Sequence, residues 1–346
     1  KGRHVWERVG GRMAHSITPE RQGARDVFLK NQGWQDAEVE PLTPDASFRS
    51  YARLRRETGG CMLMDAPPAH ENLKAYLDIT AHLRDLGLRV ADTLGHDLDA
   101  GFALIEDMGD ATFTRLLNAG HDAEPLYLLA TKVLKALHDH PRAVDIDLPP
   151  YDMTALLREA ELFVDWFVPA FRGSAPTDAE KRGYMAAWQD ALAGVSEARH
   201  ALVLRDYHVD NLMITGGLED ISHCGLLDYQ DALLGAPADD LVSLVEDARR
   251  DVSDELRSAV MVHYTKDMSA AQVKALELDM ALLGAQRHAK VAGIFVRLSK
   301  RDGKPIYLGH IPRVLRLLSK ALEATELSGV RESIEAMVPG YQQARF

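Results

Sequence analysis

Residues 201–214 read ALVLRDYHVDNLMI: between the apolar ALV and LMI lie Asp206, His208, Asp210 and Asn211. The chain continues through a turn-rich GGLEDISH (216–223) into a second apolar segment, CGLLDYQ (224–230), so the two apolar pieces read as a β-hairpin. Asp206 and Asn211 stand just before its first strand, and Asp228 lies at the end of its second. Taken one at a time, Asp206 and Asp210 are turn residues and Asn211 is a residue that tolerates an unusual backbone angle. In the order loop, hairpin, strand-end Asp, they read as chemistry.

An Asp, an Asn five residues later and an Asp at a nearby strand end supply one general base and two oxygen ligands for a hard cation. Magnesium prefers oxygen ligands and usually takes one or two from the protein, the rest from phosphate and water. Phosphoryl transfer needs this set: a carboxylate that orients a hydroxyl, and metal ions that neutralise charge on the phosphates. The protein-kinase catalytic loop has the same D-x-x-x-x-N core with a metal Asp after a strand.

Outward from this stretch the chain divides. Residues 17–107 read as an α+β lobe: a helix, strands around SYARLR and GCMLMDAP, a helix over HENLKAYLDITAHLRDLG, and strands near RVADTLGHD and GFALIED. Residues 108–112 form a hinge, and 113–346 are mostly helical, with apolar spacings of three and four in LYLLATKVLKALHDH, MTALLREAELFVDWFV and DDLVSLVEDARRDV. Residues 1–16 read as an N-terminal extension, of which KGRHVWERVGGR (1–12), before Met13, reads as upstream or cloning-derived and outside the fold. The expected class is α+β, a small sheet-containing lobe followed by a helical lobe.

Composition agrees with a folded globular protein. At 346 residues the chain exceeds the usual single domain, and its 46% hydrophobic and 27% charged fractions are ordinary. No stretch is apolar enough to span a membrane. A net charge of -12 argues against a nucleic-acid partner, which would call for concentrated Lys and Arg, but leaves room for a small anionic ligand. Cys61 and Cys224 are too few and too far apart for a metal knuckle or disulfide framework, and read as buried, reduced thiols. With no secretory pattern at the N-terminus, the expected location is the cytoplasm. No obligate protein partner is expected.

LRDYHVDNLMI followed by GLLDYQDALLGAPADDLVSL resembles the aminoglycoside phosphotransferase family, a branch of the protein-kinase-like fold with HGDLxxxN and IDWxxxxxGxxxxDLA hallmarks. The resemblance implies Asp206 as catalytic base, Asn211 and Asp228 as magnesium ligands, and Arg205 and Asp240 as supports of the site. Asp239 or Asp240 could equally cap the following helix. DASFRSYARL, MLMDAPP, FALIEDMGD and QRHAKVAGIFVRLSKRDGKPIYL narrow the likeness to bacterial kinases that phosphorylate the anomeric hydroxyl of N-acetylmuramate and N-acetylglucosamine. ATP and Mg2+ are the implied cofactors, and a sugar and ATP the implied partners.

The pattern has departures. Leu204 replaces the family His, and the strand that carries a phosphate-binding Lys in kinases reads CMLMDAPP, with Asp65 and no Lys. No Gly-rich loop precedes it. Phosphate contact could come from backbone N–H groups of 46–49, around Ser47 and Phe48, or from Arg49 and Arg53, which could also be solvated. The resemblance places adenine against the backbone of Glu106 and Met108, although ALIEDMGD taken alone is an edge strand running into a Gly turn. Acceptor candidates are Glu161, Trp166, His208 and Gln230. Trp166 shares its spacing with a core-facing stripe of Leu162, Phe163 and Phe167. His208 is expected to be an ordinary exposed loop histidine. Arg287, Lys290 and Arg297 could meet the carboxylate of N-acetylmuramate, or form a solvated helix face. Two rivals remain: an aminoglycoside acceptor, a polycation that would need a carboxylate-lined site, and a silent kinase-like binding module.

Overall fold

A computed structural model describes residues 8–9, 12–13, 18–42, 48–195 and 200–346. Ser47 and its neighbours 43–46, and most of the expected extension, lie outside the described residues. The chain forms two compact units, Lys1–Ala81 with Val90–Gly109, and His82–Arg89 with Asp110–Phe346.

In the first unit Arg8–Val9 (β1) pairs with Arg12–Met13 (β2). Helix Pro19–Asn31 (α1) begins where the Thr18 side chain accepts the Arg21 N–H and Pro19 occupies the first turn. A five-stranded antiparallel sheet follows, built from Glu38–Pro41 (β3), Ser50–Arg56 (β4) and Gly59–Asp65 (β5). After helix Leu73–Asp85 (α2) and the short Arg89–Val90 (β6), Thr93–Asp97 (β7) and Phe102–Ile105 (β8) complete it in the order β3-β4-β5-β8-β7. Side chains alternate across the pleat, so Cys61 and Leu63 of β5 and Phe102 and Leu104 of β8 share one face. That face packs on Phe28 and Leu29 of α1 and on Trp34 and Leu54. Two expectations are corrected here. β8 is an interior strand with all four residues buried, not an edge, and β3, whose EVEP carries no apolar alternation, was not foreseen.

Asp65 ends β5 in the position expected of a phosphate Lys. Its carboxylate accepts from Arg21 of α1 (Nε to Oδ1 2.9 Å), whose guanidinium lies 3.8 Å above the Phe102 ring. The residue is therefore a structural anion that ties α1 to the sheet.

The second unit is a helical body containing Phe113–Asn118 (α3), Ala123–Asp139 (α4), Met153–Leu162 (α5), Val168–Arg172 (α6) and Asp178–Leu192 (α7). After its strands come Ala238–Val245 (α8), Asp254–Thr265 (α9), Ala270–Lys300 (α10), Ile311–Ala321 (α11) and Ser328–Met337 (α12). Residues 82–89 belong here because His82 Nε2 meets the Ala143 carbonyl at 2.9 Å and Arg142 bonds the Asp85 carbonyl at 3.0 Å. Between α5 and α6, Phe163–Phe167 winds as a π-helical turn that buries Phe163, Val164 and Phe167 and leaves Trp166 half-buried. α10 lies against this turn at Gly293, where a Cβ would sit 2.2 Å from the Leu162 carbonyl oxygen. The helix expected over 239–252 stops at Val245, because Glu246 leaves helical geometry and binds His288 (2.7 Å) and Arg257 (3.0 Å). Both cysteines are free and buried, Cys61 in the first unit and Cys224 in the second. Among the described residues no helix is long and apolar enough to cross a membrane.

Candidate active site

The loop 204–211 is positioned by two small strand pairs. Ala201–Val203 (β9) pairs with Leu233–Gly235 (β12), and Leu212–Ile214 (β10) pairs with Cys224–Leu226 (β11), both antiparallel. The chain therefore crosses between these pairs twice, at 204–211 and again at 227–232. The two crossings are joined where Arg205 Nη1 donates to the Asp231 carbonyl (3.3 Å) and the Leu227 N–H donates to the Asn211 carbonyl (3.0 Å). Asp206, Asn211 and Asp228 meet for this reason, although Asp206 and Asp228 are far apart in sequence.

Each of the three is held. Asp206 follows a tight turn in which its own N–H reaches the Leu204 carbonyl (2.8 Å) around Arg205, a non-glycine residue at φ 68°. Such γ-turn geometry is strained and persists where surrounding bonds enforce it. Asp240 supplies two of them, accepting the N–H groups of Leu204 (2.8 Å) and Arg205 (2.7 Å). It also meets His138 Nε2 at 3.3 Å, while Tyr264 holds the other ring nitrogen at 2.9 Å. Asp240 thus braces the loop and does not cap α8, whose N-cap, Pro237, makes no side-chain cap bond. His138, unforeseen from sequence, supports the brace in a loop where Leu204 stands for the family His.

Asn211 Nδ2 donates to the Asp206 carbonyl (2.9 Å), which turns its amide oxygen away from the loop backbone. Asp228 sits at φ 56°, a left-handed conformation that Asp tolerates, and accepts from Gln230 Nε2 (3.0 Å). Among the described residues no group of three or more His, Cys, Asp or Glu is placed to hold a metal by itself. One amide oxygen and one carboxylate from the protein, completed by phosphate and water, is the donor set that suits magnesium, so Asn211 and Asp228 fit that ion.

Beside the loop, α10 inserts polar side chains into the interior, where the unbroken buried run Leu282–Lys290 includes Gln286, Arg287, His288 and Lys290. Arg287, 8% exposed, donates to the Arg205 carbonyl (2.7 Å), to Ser243 Oγ (2.7 Å) and to Asp206 Oδ1 (3.3 Å). Lys290 meets Glu159 at 3.0 Å, and Glu159 also takes Arg205 and the Tyr151 hydroxyl. The expectation of a solvated helix face fails for Arg287 and Lys290, because both spend their charge on internal carboxylates. Arg297, further along the helix, is half-buried.

The electrostatics follow from these pairs. Desolvation would raise the Asp206 carboxyl, but Arg287, then Lys290, His208 and Arg205, outweigh it and hold the group well below the ordinary carboxylate range. Its side chain stays 48% exposed, so the anion remains within reach of a ligand. Burial would also raise Glu159, and Lys290 and Arg205 bring it below its usual value. Burial lowers Lys290. Asp239 goes the other way: burial pushes it up to about 6 against the pull of Arg287 and Lys290.

The remaining candidates fall in several places. His208 is buried, with Nε2 at 3.2 Å from Arg249 Nη1, and burial followed by the Arg249 charge lowers its pKa; the expected exposed histidine is corrected. Gln230 lies beside Asp228 and also donates to Asp231 (3.2 Å). Glu161 pairs with Lys181 (2.8 Å), away from the group around Arg287. Glu159, two residues earlier, is the α5 carboxylate that joins the Arg205 and Lys290 group. In the first unit Arg49 and Arg53 are buried, not solvated, and are bound to Glu71 (3.1 Å) and Asp107 (2.6 Å). Phe48 is exposed, stacks on His70 and gives its N–H to Glu71 (3.2 Å). The Glu106 N–H donates to the Asp92 carbonyl (2.8 Å), and the Asp92 N–H donates back to the Glu106 carboxylate (3.2 Å).

A sheet unit, a helical unit and the Asp206–Asn211–Asp228 set define a phosphotransferase of protein-kinase-like fold. The chain belongs to the phosphotransferase enzyme family, matched over residues 38–273. It is 32% identical to the N-acetylmuramate/N-acetylglucosamine kinase of Caulobacter vibrioides, covering 94% of this chain and 98% of that protein. The kinase of the same name from Pseudomonas putida is 33% identical, covering 91% and 93%. Among solved structures, the ADP-bound aminoglycoside phosphotransferase APH(2'')-Ib superposes with a TM-score of 0.57 at 13% identity, over 86% of this chain and 98% of that one. The choline kinase LicA of Streptococcus pneumoniae superposes with 0.58 at 12%, over 86% and 99%. At such identities these two establish the fold.

Proposed function

We propose that the chain transfers the γ-phosphoryl group of ATP to the anomeric hydroxyl of N-acetylmuramate or N-acetylglucosamine. The observation that carries the chemistry is the bonding of Asn211 to the Asp206 carbonyl and to Leu227, next to Asp228, which gathers base and ligands at one end of the hairpin. The acceptor class is supported by the two kinases similar over nearly the whole chain.

Asp206 orients the hydroxyl. The sugar oxygen forms a bond to the γ-phosphorus, the bond from that phosphorus to the bridging oxygen breaks, and its electron pair leaves on ADP. The hydroxyl proton passes to Asp206. A carboxylate so strongly held as an anion is a weak base, so it serves by alignment and accepts the proton late, as befits a loose phosphoryl-transfer transition state. Asn211 and Asp228 would hold Mg2+, which when bound would supply neutralisation of the charge that develops on the phosphates. The Glu106 carbonyl and the Met108 N–H would receive adenine. Arg49 or Arg53 could reach phosphate only by exchanging Glu71 or Asp107 for another anion. ATP as donor puts the reaction in the cytoplasm.

The test is ADP release with ATP and Mg2+ and, separately, N-acetylmuramate, N-acetylglucosamine and kanamycin. Turnover with the two amino sugars, lost in Asp206→Asn while ADP binding persists, is the expected result. Turnover with kanamycin alone would replace the acceptor class, and silence with all three would leave a binding module.

A further inference from the structure

We propose that Arg287 is the positioning residue for Asp206, with Asp239 as the second anion that keeps its guanidinium in place when Asp206 takes up the proton. The proposal rests on Asp206 being the base. Arg287 reaches the loop from α10, 81 residues beyond Asp206. Two of its bonds, to the Arg205 carbonyl and to Ser243 Oγ, go to groups whose charge does not change during the reaction, and they fix the plane of the guanidinium. The third then fixes Asp206 Oδ1 relative to that plane, leaving Oδ2 as the acceptor for the hydroxyl. The same side chain therefore pins both the carboxylate and the strained peptide before it. A planar fork held at two points can orient a third partner, which a point charge cannot do.

The second part follows from charge balance. When the sugar O–H proton moves to Asp206, that carboxyl becomes neutral, while Arg287 stays charged because guanidinium does not release its proton in proteins. A buried cation left without an anion is strongly disfavoured. Lys290 and Arg205 already share Glu159. Asp239 is the anion available: it is 1% exposed, its Oδ2 lies 4.0 Å from Arg287 Nη1, and neither of its oxygens accepts a hydrogen bond among the described residues. A carboxylate kept buried without donors beside this guanidinium is explained by that charge.

The experiment uses the full chain with ATP, Mg2+ and N-acetylglucosamine, comparing Arg287→Met, Arg287→Lys, Asp239→Asn, Asp206→Asn and the double variant Asp206→Asn/Arg287→Met. Arg287→Met is expected to lower kcat on the order of 100-fold, the scale of a small misplacement of a reacting group. The sugar KM, and ADP affinity by calorimetry, should stay within about threefold, while Arg287→Lys recovers part of kcat. Adding Arg287→Met to Asp206→Asn should cost nothing further, since a residue that acts through the base has nothing left to position. Asp239→Asn should lower kcat about tenfold. Full kcat in Arg287→Met, or an undiminished extra loss in the double variant, overturns the positioning role. Full kcat in Asp239→Asn removes the second anion. Full turnover in Asp206→Asn instead refutes the reading of the base. If Arg287→Met does not fold, Arg287→Lys decides: kcat equal to that of the parent overturns the proposal.

Discussion

Asp240 shows how much one buried carboxylate can hold. Its oxygens take two loop N–H groups and His138, so Asp240→Ala would leave buried donors unpaired next to a strained turn. A loss of about 3 kcal/mol in urea unfolding is expected, at about 1–3 kcal/mol per orphaned group with partial relaxation. Asp239 beside it gives a pH signature. Its carboxyl has an ordinary value of 3.8 and is pushed up to about 6 by burial, so between those values the unfolded chain has released a proton that the folded chain still carries. Stability attributable to this group therefore falls as pH rises through that window, by about 3 kcal/mol in all, and stays low above it. Asp239→Asn removes the titration, so relative to the parent it should gain about that much between pH 4 and pH 7. Parallel curves for the two proteins would mean the carboxyl is not perturbed. At this scale the sequence was partly legible. Asp206, Asn211 and Asp228 announce themselves through local spacing, whereas Glu159, Arg287, Asp239 and His138 join the site only through the packing of distant helices. Nothing in the sequence around Glu159 and His138 marks them, and Arg287 and Asp239 were legible only in other roles, as a ligand contact or solvated charge and as a helix cap.

The elements repeat this division. A hairpin between apolar segments could be read from 212–230, but not the pairing of β9 with β12, three-residue strands whose partnership is settled by long-range closure. The polar residues of α10 look like a solvated stripe because charge on a helix usually faces water; here the helix is buried on all sides over Leu282–Lys290, so the same pattern carries internal ion pairs. Burial on all sides requires close approach. Gly293→Ala would push a methyl into the Leu162 carbonyl, and α10 would have to withdraw from the π-helical turn. A loss of about 1–3 kcal/mol in unfolding free energy is expected. Phe163 and Phe167, whose ring centroids stack at 4.6 Å, should shift with it, visible as a change in near-UV circular dichroism. An unchanged spectrum and midpoint would mean the contact is slack.

At the scale of the whole chain, an excess of 12 negative charges coexists with an Asp206 carboxylate surrounded by Arg205, Arg287 and Lys290. Net charge argues against a nucleic-acid partner and says nothing about this local field. Magnesium with ATP should raise the unfolding temperature, by an amount that grows with nucleotide concentration, and EDTA should abolish the rise. A shift unaffected by EDTA would argue against the ion at Asn211 and Asp228. The two sulfhydryls lead to a different property. Burial pushes Cys61 up to about 11 and Cys224 up to about 12. At neutral pH the thiolate of Cys61 is then only about one part in ten thousand. Because that ionised form is the one that reacts, oxidants and alkylating agents find no ready nucleophile in the folded enzyme. Activity should therefore persist without a reducing agent, and mass spectrometry after iodoacetamide treatment should return the unmodified mass until the protein is unfolded.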